Sequence, residues 1–177
     1  PLYQEGLKVQ TPWLYQFLLE PTKLRYTTVL RMPKFSLSES EARTLANYFA
    51  ASDGAEFPYQ EQGPSDIDYL TSREAELAHA GLLQEDQTYL GESWKTLNGP
   101  LCAKCHSFAG KKFKVSDPLK DIQGPNLNMV QNRLRADWLK LWLYKPTWIL
   151  PYTSMPVNFP KNNTTQFPDL FNGDPDA

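Results

Sequence analysis

The stretch Cys102-Ala103-Lys104-Cys105-His106 decides how the rest of the chain is interpreted. Two cysteines three positions apart can add their thiols across the two vinyl groups of one haem, and the next side chain can then turn under the iron. The spacing therefore predicts one covalently attached haem c. Cys102 and Cys105 would carry the thioether bonds, and His106 would be the proximal ligand of the haem iron.

Two other kinds of site use a cysteine pair of this spacing. Zinc requires four ligands, and the chain holds two cysteines and two histidines in all. A zinc site would therefore need His79, and the adjacent Cys105 and His106 would have to turn inward together. A thioredoxin-like pair normally opens a helix after a buried strand, whereas residues 97–100 end a helical pattern. Haem attachment is the favoured interpretation.

The composition is typical of short helices rather than an extended sheet, because 15 prolines interrupt the chain and 13% of it is aromatic. A length of 177 residues is enough for one or two small domains. The net charge of −2 argues against a nucleic-acid-binding surface. Lys140 and Lys145 interrupt the best apolar run, so we expect no transmembrane segment. Lys111, Lys112 and Lys114 fit either an acidic redox partner or an ordinary solvated loop.

Part of the sequence is repeated. The segment from Trp13 to Pro21 aligns without a gap with the segment from Trp138 to Pro146, at a constant offset of 125 positions. Met32-Pro33 then corresponds to Met155-Pro156 at an offset of 123. In each copy apolar residues recur at helical spacing, and the terminal proline is predicted to end the helix.

Three further helical segments are predicted from local patterns. Ser38 and Glu41 predict a capping box for a helix that runs to Ala51. Its apolar face is expected to consist of Ala42, Leu45, Ala46 and Phe49. Residues 65–83 are predicted to form one or two helices after a linker at 57–64. The third helix is predicted at residues 87–97. Its side chains expected to point inward are Leu90, Trp94 and Leu97.

Landmarks outside the pentapeptide make the sequence resemble class I cytochromes c. They are Gly124-Pro125-Asn126-Leu127, Trp138-Leu139 with Trp142-Leu143, and Met155-Pro156. The resemblance implies an all-α class I cytochrome c fold, in which short helices surround the haem. It also implies that Met155 is the second axial ligand of the iron. Pro125 would support the His106 imidazole, with a neighbouring carbonyl accepting from its N–H.

Other side chains of the same region are candidates for contact with the haem. Trp138 and Trp142 share a helical stripe that could cover a large apolar ring system. Arg133, Trp138 and Tyr152 are candidates for the haem propionates, because buried carboxylates need hydrogen-bond donors or a cation. Met129 is the competing sulfur ligand within the module.

The repeat and the resemblance together predict a tandem arrangement. Its parts would be the distal half of a cytochrome c-like module at residues 1–54, a linker with a helix at 55–86, and the haem-binding module at 87–177. Met32 is then a possible ligand of an upstream haem, bound by a proximal half that precedes residue 1. In the competing arrangement, a circular permutation, the helix at 38–51 packs on the helix at 87–97.

The expected function is one-electron transfer, since a His/Met pair fills both axial positions and leaves no open site for a substrate. The chain would be an electron carrier domain rather than an enzyme, within a larger redox or respiratory system. We expect redox proteins, other cytochrome modules or a membrane respiratory complex as partners, and an extracytoplasmic location, where haem c is attached. One alternative is a peroxidase-like or ligand-sensing haem domain with a displaceable Met155. In another, the first half-module is a docking element without haem.

Overall fold

The computed structural model describes residues 2–24, 31–59, 66–111 and 123–159. Within these ranges the chain is helical and has no β-strand, so the expected all-α class is confirmed. The helices are α1 (Glu5–Lys8), α2 (Thr11–Leu19), α3 (Glu39–Ser52), α4 (Ile67–His79), α5 (Tyr89–Asn98), α6 (Pro100–Ala103), α7 (Val130–Arg133), α8 (Ala136–Tyr144) and α9 (Pro146–Ile149). None of the described helices is long and apolar enough to cross a membrane.

The chain divides into two compact units. The first combines Pro1–Glu61 with His106–Leu139, and the second combines Gln62–Cys105 with Lys140–Ala177. Each unit therefore takes residues from the predicted haem module at 87–177.

The core of the first unit forms where α3 packs on α1 and α2. Its buried apolar side chains are Val9, Leu14, Leu18, Ala42 and Ala46. The two helices approach closely at Gly6 of α1, where a β-carbon would lie 2.1 Å from the carbonyl oxygen of Phe49. The Gly6 N–H donates to a carboxylate oxygen of Asp53 at 2.7 Å. Any larger residue at position 6 would collide with the backbone of α3.

Helix α3 begins with the predicted capping box. The Ser38 hydroxyl accepts from the Glu41 N–H at 3.3 Å, and the Glu41 carboxylate accepts from the Ser38 N–H at 2.8 Å. The predicted apolar face is wrong at Leu45, which is 37% exposed. The residues that α3 buries are Ala42, Ala46 and Ala50. Because the α1 backbone approaches so closely, small side chains four residues apart fill the contact and Leu45 lies beside it.

The repeat in the sequence is matched by a repeat of helices. Helices α1 and α7 begin and end 125 positions apart, and so do α2 and α8. The repeat therefore extends upstream of Trp13, to residue 5. Between the helices, Val9 and Leu134 are equivalent positions of the two copies, and they pair with each other as an isolated antiparallel bridge. We call residues 5–13 together with residues 130–138 the repeat seam.

The backbone hydrogen bonds of the repeat seam are reciprocal. The Gln10 N–H donates to the Arg133 carbonyl at 2.9 Å, and the Arg135 N–H donates to the Lys8 carbonyl at 3.0 Å. Gln10 and Arg135 are equivalent in the repeat, and so are Lys8 and Arg133. The same bond is therefore made twice, once from each copy to the other.

In the second unit, α4 and α5 pack together above a small apolar cluster. Leu77 and Leu83 are its buried members. The Glu74 carboxylate of α4 accepts from the Tyr89 N–H, the first of α5, at 2.8 Å. This bond ties the start of α5 to the middle of α4.

The predicted inward face of α5 is wrong at two positions. Leu90 is 58% exposed and Trp94 is 46% exposed, whereas Glu92 is only 1% exposed. The Glu92 carboxylate accepts from the Lys95 ammonium at 2.6 Å. Periodicity correctly places Leu90 and Trp94 on one face of α5. Which face is buried, however, depends on where the neighbouring elements pack.

Candidate functional site

The two cysteines lie on one tight turn at the end of α6. Proline at the start of α6 follows Gly99, and the Cys105 N–H donates to the Cys102 carbonyl at 3.2 Å. Both cysteines are free and half-buried. Burial raises the pKa of the Cys102 thiol, and charge on Cys105 raises that pKa further. Burial thus favours the protonated thiol of Cys102, whereas a reactive redox cysteine has a lowered pKa.

The His106 imidazole is held in one orientation by the segment around Pro125. Its Nδ1 lies 2.7 Å from the Pro125 carbonyl oxygen. A carbonyl can only accept, so Nδ1 carries a proton and donates, and in the neutral tautomer with this proton Nε2 holds the lone pair. This is the protonation pattern of a histidine that binds a metal through Nε2 and is oriented through its other nitrogen.

Gly124 provides the room that this imidazole needs. A β-carbon on Gly124 would lie 2.4 Å from His106 Cε1 and 2.8 Å from His106 Nε2. Because real β-carbon contacts are not this short, any side chain at position 124 would displace the ring or the backbone. The sequence alone did not predict this steric role of Gly124.

Two further hydrogen bonds join the His106 loop to the segment after Pro125. The Leu127 N–H donates to the Ser107 carbonyl at 2.9 Å. The Ala109 N–H donates to the Asn128 side-chain oxygen at 2.7 Å. The contact between His106 and Pro125 is therefore one of three that fix this loop, which limits the freedom of the imidazole.

Met155 lies in an extended segment of the second unit, after α9. Its sulfur accepts from the Trp142 indole N–H, with 2.8 Å between Nε1 and Sδ. The Met155 N–H donates to the Thr153 hydroxyl at 3.2 Å. Thioether sulfur has two lone pairs, so the hydrogen bond from Trp142 leaves one for a metal. The sequence predicts only that the Trp142 ring covers a haem, and its role as a hydrogen-bond donor is seen in the structure.

The propionate candidates make contacts within their own units. The Arg133 guanidinium lies 5.1 Å from the centroid of the Trp13 ring. The Lys8 ammonium lies 5.9 Å from the centroid of the Trp138 ring. Tyr152 is 76% exposed. Arg133 and Trp138 therefore each contact a residue of the other copy in the repeat seam.

The other two methionines have different surroundings. Met32 is half-buried and packs against the core of the first unit. Met129 is 42% exposed, at the end of the 3₁₀ turn Leu127–Met129. Of the three methionine sulfurs, Met155 is the one for which the structure gives a hydrogen-bond donor.

Among the described residues, no group of three or more histidine, cysteine, aspartate or glutamate side chains is arranged to hold a metal ion. The zinc alternative thus gains no support from this part of the chain. Comparison with protein-family models, with curated proteins and with solved structures finds no match.

Proposed function

We propose that this chain is a one-electron carrier of the class I cytochrome c type, with one haem c bound covalently through Cys102 and Cys105. His106 and Met155 would bind its iron. The observation that carries the proposal is the His106 imidazole, directly after a turn with two free thiols and fixed through Nδ1 to the Pro125 carbonyl. That arrangement leaves Nε2 available on a ring that cannot easily turn away.

The thiols and the imidazole fit the chemistry of haem attachment. Each S–H would add across one vinyl group of the haem, so that sulfur bonds to one vinyl carbon and hydrogen to the other, without a net oxidant or reductant. The bound haem supplies an iron that takes up and releases one electron.

Met155 is the second proposed ligand of the iron, and Trp142 alters how strongly the Met155 sulfur donates electrons. A neutral thioether favours ferrous over ferric iron relative to a second imidazole. The N–H that Trp142 donates draws electron density from the same sulfur, which weakens its donation further and favours the ferrous state. With both axial positions filled, the residues support electron transfer rather than turnover of a substrate.

The proposal extends to the setting of the protein. A carrier with no substrate site needs redox partners, and we place the chain outside the cytoplasm, in a larger redox or respiratory system. The proximal and distal residues would serve as binding and orienting groups for the haem, and none is assigned a catalytic role.

The test is made on protein produced in a host that attaches haem c. Haem should stay on the polypeptide in acidified organic solvent, and the Cys102→Ser/Cys105→Ser variant should release it. Ferrous protein should not bind CO, whereas Met155→Ala should bind it and lose the sulfur-to-iron charge-transfer band. Met129→Leu is the matched control and should behave like the parent protein. Extractable haem in the parent protein would contradict the proposal, and ready CO binding would favour the ligand-sensing alternative.

A further inference from the structure

Three large side chains that follow one another closely in the second unit are exposed to solvent. Leu141 on α8 is 54% exposed, and Trp148 on α9 is 63% exposed. Tyr152, on the turn directly after α9, is 76% exposed. Single exposed apolar residues are ordinary, but a group of them indicates a surface that binds something.

Local hydrogen bonds keep this stretch of chain compact. The Lys145 N–H donates to the Leu141 carbonyl at 3.1 Å, which places Lys145 one helical turn beyond Leu141. The Lys145 ammonium lies 5.1 Å from the centroid of the Trp148 ring. The Thr153 N–H donates to the Leu150 carbonyl at 3.0 Å and closes the turn that carries Tyr152. We use the name Trp148 patch for Leu141, Trp148 and Tyr152 together with Lys140 and Lys145.

The charges in this part of the sequence are all positive. Residues 140–159 contain Lys140 and Lys145 and no aspartate or glutamate, although the whole chain has a net charge of −2. Among the described residues neither of these lysines forms an ion pair. The charge of the Trp148 patch therefore complements an anionic surface.

Other exposed rings in the described part of the chain have acidic neighbours. Tyr3 is 79% exposed and lies two positions before Glu5. Tyr69 is 41% exposed and lies next to Asp68. Exposed aromatic side chains are thus not accompanied by lysine throughout the protein, and the combination in the Trp148 patch is a local feature.

The chemistry of the Trp148 patch favours a lipid bilayer over an acidic protein as its partner. Tryptophan and tyrosine join an apolar body to a polar tip, which suits the boundary between headgroups and acyl chains. Lysine can lay its stem along apolar surface while its ammonium reaches the headgroups. A specific protein interface takes about 20–30 residues from each partner, whereas a bilayer requires no complementary shape and can take up a few protruding side chains.

We propose that the Trp148 patch binds the surface of a bilayer that contains anionic lipids. Leu141, Trp148 and Tyr152 enter the boundary between headgroups and acyl chains, and Lys140 and Lys145 contact the lipid phosphates. This binding is a property beyond electron transfer and does not rest on it. None of the five side chains is a proposed ligand of the iron or a proposed attachment site of the haem.

The first experiment is flotation of the full chain, purified with any haem attached, on large unilamellar vesicles. Vesicles of phosphatidylcholine with phosphatidylglycerol should carry the protein upward in the gradient, and vesicles of phosphatidylcholine alone should carry much less of it. Added salt should weaken the binding, because it screens the attraction between lysine and phosphate. Failure to float with the anionic vesicles would overturn the proposal.

Substitutions within the Trp148 patch separate its apolar and charged contributions. Trp148→Ala should weaken binding to anionic vesicles roughly ten-fold, because the indole can no longer leave water. Lys145→Gln should weaken it about five-fold, the contribution of one lysine near an anionic leaflet. Both side chains lie at the surface, so neither substitution should disturb the fold, and circular dichroism checks this.

Matched controls lie outside the patch. Trp94→Ala removes an indole that is 46% exposed on α5, and Lys23→Gln removes an exposed lysine after α2. Both should bind anionic vesicles like the parent protein. If Lys23→Gln weakened binding as much as Lys145→Gln, or if Trp148→Ala had no effect, the Trp148 patch would not be the binding surface.

Two further outcomes identify the partner and keep this proposal separate from the proposed function. Binding to soluble polyglutamate as tight as binding to anionic vesicles would favour an acidic protein and overturn the assignment to lipid. Covalent haem is measured on the same samples. Vesicle binding by a chain without covalent haem would overturn the proposed function alone, and a haem-bearing chain that ignores anionic vesicles would overturn only the lipid surface.

Discussion

The indole N–H of Trp142 donates to the sulfur of Met155 across 2.8 Å, joining α8 to the extended segment after α9. The sequence predicts a ring-covering role for Trp142 and an axial role for Met155, as two separate assignments. The hydrogen bond couples them, because the group that orients the sulfur also alters how strongly it can donate. The potential of the proposed haem therefore depends on a residue that does not touch the iron.

We expect Trp142→Phe to lower the reduction potential while Met155 stays on the iron. Phenylalanine keeps an aromatic ring at position 142 but removes the N–H. A hydrogen bond contributes about 1 kcal/mol, which corresponds to roughly 40 mV for one electron. Redox titration measures the potential, and the charge-transfer band reports the sulfur ligand. Trp148→Phe, at a ring that is 63% exposed, should leave the potential unchanged, and an unaltered potential in Trp142→Phe would contradict this account.

Gly124→Ala should disturb the His106 ligand, because its β-carbon would overlap the imidazole. We expect a loss of stability of about 1–3 kcal/mol, typical of overpacking, with a change in the spectrum of the ferric haem. Denaturant unfolding and absorption spectra measure the two effects.

Pro125→Ala is the matched control for this site. It keeps the backbone carbonyl that accepts from His106 Nδ1, so the spectrum of the haem should be close to that of the parent. An equal effect of the two substitutions would mean that the proline ring, and not the space at Gly124, orients the imidazole.

Local features of the fold could be predicted from the sequence because they depend on residues close together in the chain. The capping box of α3 needs only Ser38 and Glu41, and both of its bonds are present. The directions of Leu45 and Leu90 could not be predicted in this way. Periodicity shows which residues share a helix face, but the buried face is chosen by whichever element packs there.

The candidate site also has some features that the sequence predicts and others that are seen only in the structure. Cys102, Cys105 and His106 are proposed from spacing alone, since attachment of haem c would need this spacing, and their role stays a prediction. The space at Gly124 and the donor role of Trp142 arise from approaches between residues 13 or more positions apart. The pairing of Val9 with Leu134 was open to prediction only in part, because a repeat identifies equivalent residues without saying that they touch.

Gly6→Ala should destabilise the crossing of α1 and α3 in the first unit. The new β-carbon would lie 2.1 Å from the Phe49 carbonyl oxygen and 2.8 Å from the Ala50 α-carbon, which are backbone atoms that cannot rotate away. Overpacking of this kind costs about 1–3 kcal/mol in the free energy of unfolding. Leu7→Ala, at the exposed neighbour on α1, should cost less than about 0.5 kcal/mol. Denaturant unfolding compares the two, and equal losses would show that the crossing at Gly6 is not tight.

The capping box of α3 should make the stability of the fold depend on pH. Hydrogen bonds from the Ser38 hydroxyl and then from the Ser38 N–H hold the pKa of Glu41 below its ordinary value of 4.5. A carboxyl group with a lowered pKa in the folded state stabilises the fold above its unfolded pKa, and this contribution is lost as the pH falls through the folded pKa. Ser38→Ala should therefore lower the Tm by roughly 2–4 °C at neutral pH, and the difference from the parent should shrink as the pH falls below about 4.5. Ser40→Ala, in the same turn but outside both capping bonds, should show no such dependence in thermal unfolding, and a difference for Ser38→Ala that stays constant with pH would exclude Glu41 as its source.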